Sequence, residues 1–290
     1  MRVLVPSSSA NLGPGFDCFG IAWQSRNELF FDKCDTLSIE GCAEEYANDT
    51  NLAWQGFAKA MELAGEKCGG AHIRFGRTDI PISRGLGSSA ALSVAGAAAA
   101  DALYHLNLGR EGILDAVTAV EGHPDNVAPA VYGGLTASMM DGTRAVTVNF
   151  PIHDRLCFTA LIPDFQLSTA KARAVLPVQV ARADAIFNIS RGALLLNALG
   201  SGDLELLSIA MDDKLHQPYR WGLIPGSDEA RAAAKECGAA ALCISGAGPT
   251  LLALSFGEEF DREMAKHMDE LPGNWRMLPM AVDHVGVQVL

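Results

Sequence analysis

The sequence predicts an α+β fold in two lobes, and three observations point there. Strand-like and helix-like stretches interleave irregularly, whereas a doubly wound parallel sheet needs regular alternation. The 290 residues are 49% hydrophobic, enough for a large core, and that length suits two domains. A glycine-serine turn at residues 81–91 opens into a run, Ala90 to Leu103, that is apolar on every side. A helix of that kind is buried.

The elements follow in order. Strands are predicted at Arg2–Pro6, Phe19–Phe31 and Thr36–Glu40, with a polar, glycine-rich loop at 6–17 after the first. A helix is predicted at Leu52–Ala64, with Asp49, Thr50 and Asn51 as cap candidates. His72–Phe75 is a short strand leading to the turn. Helices follow at about Ser88–Leu106, Arg110–Val120 and Asp125–Val131. Gly134–Met140 and Ala145–Phe150 form a hairpin around Asp141-Gly142. The second half starts at strand Leu156–Ile162. Helices near Thr169–Val175, Ala181–Leu199, Leu204–Met211 and Asp228–Glu236 come next. Strands Ala241–Ser245 and Thr250–Phe256, helix Glu258–Met268 and strands near Trp275–Leu278 and Val285–Leu290 close the chain. Pro151 is the only punctuation near the middle, so the lobes are expected at 1–150 and 151–290.

Composition excludes several function classes. Net charge is −12, from 22 basic and 34 acidic residues, and no basic tract appears, so no nucleic-acid partner is expected. The most apolar run, Ala90–Ala100, is too short to span a bilayer, and no signal peptide precedes the first strand. The seven cysteines show no Cys-x-x-Cys pair and read as reduced thiols of a cytoplasmic protein. The many apolar residues could cover a homodimer face, but nothing marks which ones.

Chemistry is concentrated in a few segments. Pro81-Ile82-Ser83-Arg84-Gly85-Leu86-Gly87-Ser88-Ser89-Ala90 is a turn feeding a helix start, where free N–H groups attract anions. Gly85 and Gly87 let the backbone approach an oxyanion. Ser88 and Ser89 offer hydroxyls for a cap, a phosphate or a metal. The turn lacks Gly-Lys-Ser/Thr, so it is not a Walker loop. A second turn, Ser245 to Thr250, reads as a hairpin or as backbone approaching the first turn. Glu121-Gly122-His123-Pro124-Asp125-Asn126 reads as a pair of helix caps or as a Mg²⁺ carboxylate (Glu121) beside substrate contacts (His123, Asn126). Asn11 and Asp17 could grip an amine or hydroxyl. Thr169 and Arg173 lie four apart on one helical face, and Arg220 follows Asp213, His216 and Tyr219. An arginine fork matches a carboxylate.

Four of these segments together resemble the GHMP small-molecule kinase superfamily, in its homoserine-phosphorylating branch. They are Ser9 to Asp17, Pro81 to Ala91, Glu121 to Pro129, and Ser245 to Thr250. The resemblance implies an N-terminal domain with a left-handed βαβ unit and a ferredoxin-like C-terminal lobe. It implies ATP and Mg²⁺, with the γ-phosphoryl passed to the hydroxyl of L-homoserine in threonine biosynthesis. Asn11, Asp17, His123, Thr169, Arg173 and Arg220 would hold homoserine, with Asp17 on its ammonium and the arginines on its carboxylate. Pro81, Ser83 to Ala90 and Asn51 would contact the nucleotide; Ser88, Ser89 and Glu121 would hold Mg²⁺. Glu121, Asn126 and Ser88 would stand at the reacting centre. Mevalonate-type relatives place an aspartate base where this chain has Asn126. The expected catalysis is therefore positioning and electrostatics. Two other functions stay open: a kinase of the superfamily with another small alcohol, and a silent nucleotide-binding sensor.

Overall fold

A computed structural model describes residues 1–290. The first lobe runs β1 (Arg2–Ala10), β2 (Phe19–Lys33), β3 (Ser38–Glu40), α1 (Leu52–Leu63), β4 (Ala71–Thr78), α2 (Ser88–Tyr104), α3 (Gly109–Glu121), α4 (Val127–Tyr132), β5 (Leu135–Asp141) and β6 (Arg144–Phe150). The second runs β7 (Leu156–Ile162), α5 (Thr169–Ala174), α6 (Arg182–Ser201), α7 (Leu204–Ala210), α8 (Gln217–Arg220), α9 (Ser227–Glu236), β8 (Ala241–Ile244), β9 (Leu251–Phe256), α10 (Glu259–Met264) and β10 (Arg276–Met280). A last short strand, β11 (Gln288–Val289), closes the chain.

The first sheet has seven strands in the path β11-β1-β2-β4-β3, with β5 joining β2 to β6. Its one parallel pair is β3 with β4, linked through α1. The second sheet has the order β10-β7-β9-β8 and is antiparallel throughout. Counted along the chain, that order is fourth-first-third-second, the ferredoxin-like arrangement. The chain passes from the first sheet to the second between Phe150 and Leu156. It passes back after Met280, where β11 pairs with β1 and Val282 bridges to Trp23.

β1 is longer than the sequence suggested. It continues through Ser7–Ser9 after a register shift at Pro6/Ser7, where a loop was expected. Serines disfavour strands because their hydroxyls seek other partners, but here each hydroxyl has one. Ser7 bonds Ser25, Ser8 donates to Asn126 Oδ1 at 2.9 Å, and Ser9 accepts from Trp23 Nε1 at 2.8 Å. Another surprise is α8, a single turn hidden in a polar, Pro-containing segment. The carboxylate of buried Asp213 gathers the N–H groups of Leu215, His216 and Gln217 and sets its start.

Two cores meet at the second sheet. On β9, Leu252 and Leu254 face the large core that contains α1 and α2, while Leu251 and Ala253 face a smaller one under α9 and α10. Period-two alternation with both faces apolar is what a sheet between two layers requires. Trp23 of the first sheet meets Phe158 of the second, with rings 5.2 Å apart. The lobes therefore share packing that holds their loops in fixed relation. α2 is central to this. Small residues let it lie almost against α1: a Cβ on Gly96 would fall 1.8 Å from the Ala53 carbonyl oxygen. Ten of its residues are buried, so its N-terminus is rigidly placed.

Candidate active site

Between the lobes lies a cavity of about 760 Å³, within the range of small-molecule sites. The turn at 81–90 lines one wall, and Gly246–Gly248 of the β8–β9 hairpin faces it. Asn11, Glu121, His123, Asn126, Thr169, Arg173 and Arg220 gather at one end. Tyr46, Asn51, Gln55 and Phe75 lie at the other.

The part of the cavity lined by the turn is mainly backbone. Gly87 is the N-cap of α2 in the left-handed region, φ +69°, and no side chain caps the helix. Ser88 and Ser89 are the first helical residues rather than caps, which corrects one of the roles open to them in the sequence. The N–H groups of the first turn are thus left for an anion. Gly85 is also left-handed, φ +74°, and a Cβ there would sit 2.3 Å from the Ser245 carbonyl oxygen. Ser245 Oγ donates to Gly85 O at 2.5 Å and lies 2.6 Å from Ser9 Oγ. The two glycine turns and β1 therefore interlock. The second turn is both a hairpin and the partner of the first. Arg84 reaches across the lobes to Asp164, Nη2 to Oδ1 3.2 Å, and Ser83 O accepts Leu167 N at 3.3 Å. Leu86 is buried, with its carbonyl on Ser8 N. Pro81 and Ala90 mark the two ends of the turn's cavity wall.

Beside the turn stands a set of oxygen donors. Ser89 Oγ donates to Glu121 Oε1 at 2.6 Å, and Ser93 Oγ donates to the same oxygen at 3.3 Å. Glu121 is half-buried at the end of α3, and Ser88 lines the same wall. One carboxylate and neighbouring hydroxyls, open to a phosphate site, suit a hard divalent cation such as Mg²⁺. Ser93 was missed in the sequence. Its signal was a lone hydroxyl four residues after Ser89 in an otherwise aliphatic helix.

The part of the cavity around Arg173 and Arg220 is made of side chains. Asn11, left-handed at φ +60°, donates to Gly246 O at 3.0 Å and accepts Asp17 N at 2.8 Å. Asp17 is gripped by both arms of Arg173, at 2.6 and 3.0 Å. That hydrogen-bonded carboxylate raises the Arg173 pKa above its ordinary value, against the effect of burial. Arg220 is buried, and it donates to Ala172 O, Gly246 O and His216 Nδ1 at 3.1–3.2 Å. Burial, then repulsion from Arg173, pushes its pKa down to about 10. It remains a cation at neutral pH. His216 accepts from Arg220 on Nδ1, so its Nε2 carries the proton, 2.8 Å from Gly13 O. Burial keeps it neutral. The Phe16 ring sits 5.3 Å from the Arg173 guanidinium, 5.2 Å from that of Arg220, and stacks on His216. Phe16 and His216, unassigned in the sequence, shape this end.

Beside Asp17, with one polar atom of each of Asp17, His123 and Asp125 within 4.8 Å of the others, His123 Nδ1 lies 2.5 Å from Asp125 Oδ1. Burial alone pushes the His123 pKa down, but the hydrogen bond and charge of Asp125 hold it above the ordinary value. Asn126 accepts Ser8 Oγ on its Oδ1. Gly122, at φ +86°, does end α3, as one of the two expected caps, whereas α4 is capped by Asn126 rather than Asp125, with no side-chain bond, because the Asp125 carboxylate is taken by His123 and by the Asn126 N–H. Glu121, His123 and Asn126 all line the cavity. Thr169 and Arg173 share the cavity-facing side of α5. At the other end, Asn51 lines the cavity, but its amide is spent locally. Oδ1 caps α1 through Ala53 N at 3.0 Å, and Nδ2 donates to Tyr46 O at 2.8 Å. Any nucleotide contact it makes falls to the rest of the residue.

Comparison with known proteins matches this geometry. The profile described as "GHMP kinases N terminal domain" covers residues 51–134, and "GHMP kinases C terminal" covers 195–269. A homoserine kinase of Clostridium botulinum (strain Okra / Type B1) is 40% identical over 292 aligned positions, covering 100% of this chain and 98% of the relative. The chain belongs to the homoserine kinase family of GHMP kinases. The crystal structure of homoserine kinase from Cytophaga hutchinsonii superposes on this family member with a TM-score of 0.88 and 28% identity, over 100% of this chain and 97% of that one. The crystal structure of L. major mevalonate kinase in complex with R-mevalonate shares only the fold, at 16% identity and a TM-score of 0.73 over 99% of this chain and 97% of that one.

Proposed function

We propose that this enzyme transfers the γ-phosphoryl group of ATP to the hydroxyl of L-homoserine, the step its relatives' names describe. The observation that carries the acceptor reading is the Asp17–Arg173 pair beside Arg220, around the Phe16 ring. Opposite charges held side by side at the cavity suit a ligand with both an ammonium and a carboxylate. A zwitterion exchanges one internal ion pair for two external ones, so neither charged residue loses its partner. Mevalonate offers a carboxylate but nothing for Asp17.

The turn at 85–90 holds the polyphosphate on backbone N–H groups and on the positive end of α2. Mg²⁺, held by Glu121 with Ser89 and Ser88, would neutralise phosphate charge. The acceptor hydroxyl attacks the γ-phosphorus, and the bond to the β-phosphate oxygen breaks. Asn126 stands beside this point with its Oδ1 occupied by Ser8, and an amide takes no proton at neutral pH. The chain's contribution is alignment, charge complementarity and exclusion of water, which suffices for a loose phosphoryl-transfer transition state. The hydroxyl proton leaves to the phosphate or to water.

A coupled ADP-release assay with L-homoserine, L-serine and mevalonate tests this. Turnover of homoserine well above the other two is the expected result. Turnover of mevalonate alone would overturn the acceptor assignment. ATP binding with no ADP from any of the three would favour a sensor.

A further inference from the structure

Asp125 has no part in the mechanism above, yet it is the most thoroughly enclosed carboxylate at the site, with no accessible surface. It lies in the short connection between α3 and α4, after Pro124. Its backbone is pinned from behind: a Cβ on Gly20 of β2 would fall 1.8 Å from the Asp125 carbonyl oxygen. Its Oδ1 takes His123 Nδ1 at 2.5 Å and Asn126 N at 2.8 Å. One oxygen thus grips both cavity-lining residues of this segment. Its Oδ2 has no protein partner.

A purely structural residue would not be built this way. A buried carboxylate with an unpaired oxygen is a poor choice for stability, and an apolar side chain of similar size would pack as well. A carboxylate at this point does something an apolar residue cannot. It occupies Nδ1 of His123 and so decides which ring nitrogen is left over. That nitrogen is Nε2, which makes no hydrogen bond within the chain, on a ring that lines the cavity. A histidine whose second nitrogen is tied to a carboxylate has a fixed ring plane and a fixed proton on the tied nitrogen.

We infer that Asp125 is a positioning residue, which acts through His123 by holding its Nδ1–H and presenting Nε2 to the phosphoryl acceptor. This rests on the acceptor reading above, and it assigns Asp125 orientation rather than proton abstraction from the hydroxyl.

The test is a double-variant cycle with Asp125→Asn, His123→Gln and both together, read as KM and kcat for each substrate. Asp125→Asn is expected to lower kcat/KM for homoserine on the order of 100-fold, mostly through KM, with KM for ATP within about threefold. In the His123→Gln background the same change should cost less than about threefold, because its route of action is already gone. Additive losses, or equal losses for both substrates, would overturn the inference. A fall in kcat by about four orders of magnitude with KM unchanged would instead make Asp125 the base. A second measurement needs no substitution. Nitrogen-resolved NMR of the unaltered chain should find His123 protonated on Nδ1, and an unprotonated Nδ1 would sink the idea. Homoserine turnover by the unaltered enzyme tests the acceptor reading separately, so the two can fail independently.

Discussion

The phosphate end of the cavity comes from one unbroken stretch, Pro81–Ala90, and works through its backbone. The end proposed for the acceptor comes from Asn11, His123, Thr169, Arg173 and Arg220, with Asp17 joined through Arg173; these lie on four separate segments and work through side chains. The first can be rigid by itself, because a left-handed turn and a helix start are local structures. The second is only as rigid as the packing between lobes. Trp23 against Phe158, and Ser9 with Ser245 against Gly85, supply that packing. On the proposed function, the turn serves the phosphates whatever the acceptor, and the side-chain end sets which acceptor fits.

Substitutions can break this contrast. Arg220→Met should have the largest effect, raising KM for homoserine on the order of 1000-fold, since it strips a carboxylate's buried partner. KM for ATP should stay within about threefold, and steady-state kinetics with each substrate varied will show whether the ends are separable. Glu121→Gln should lower kcat on the order of 100-fold and raise the Mg²⁺ concentration needed for half-maximal rate. A Mg²⁺ titration of both proteins checks this, and an unchanged midpoint would exclude Glu121 as the ligand. Gly85→Ala attacks the phosphate end through its backbone. The clash with Ser245 and the left-handed φ should lower stability by about 2–3 kcal/mol and weaken ATP more than homoserine. Thermal melts with and without each ligand resolve the two effects.

Two smaller predictions sharpen the same contrast. His216 underpins the acceptor end as a neutral ring, and burial holds its pKa below the ordinary value. The unfolded chain takes up that proton near pH 6.5, and the folded chain does not. Stability from this group is therefore full above about pH 6.5 and declines as the pH falls, by at most about 1.4 kcal/mol per unit. Tm measured from pH 7.5 to 5 should fall more steeply in the unaltered protein than in His216→Gln. Ser93→Ala should reduce kcat only about threefold, because Ser89 keeps its shorter bond to Glu121. A loss as large as that of Glu121→Gln would mean the second hydroxyl holds the carboxylate in place.

How much of this was legible varied by region. The apolar stretch after Ser89 announced a buried helix, and the glycines before it announced a tight turn into the helix start, because both signals lie within a few residues of each other. Asn51 was legible as a cap through its Oδ1, but the bond from its Nδ2 to Tyr46 O was not, because no propensity marks it. Ser7–Ser9 read as loop because strand propensity is judged residue by residue, while their partners Ser25, Asn126 and Trp23 lie far along the chain. α8 was invisible for a different reason: Asp213, which sets its start, is close in sequence, but a single turn containing a proline carries no helical periodicity.

By itself, the sequence determined the two-lobed α+β plan, the glycine turn into a buried helix and the kinds of charge available at the cavity. Each of these follows from short-range patterns that fix backbone conformation. Only the tertiary structure decided that Arg173 rests on Asp17, that Arg220 is buried against a neutral His216, and that Asp125 ties down His123. The first joins segments far apart in the chain, and the other two are local in sequence, but the strength of all three depends on burial and on the neighbours that other elements supply. Neither quantity is set until the lobes have packed.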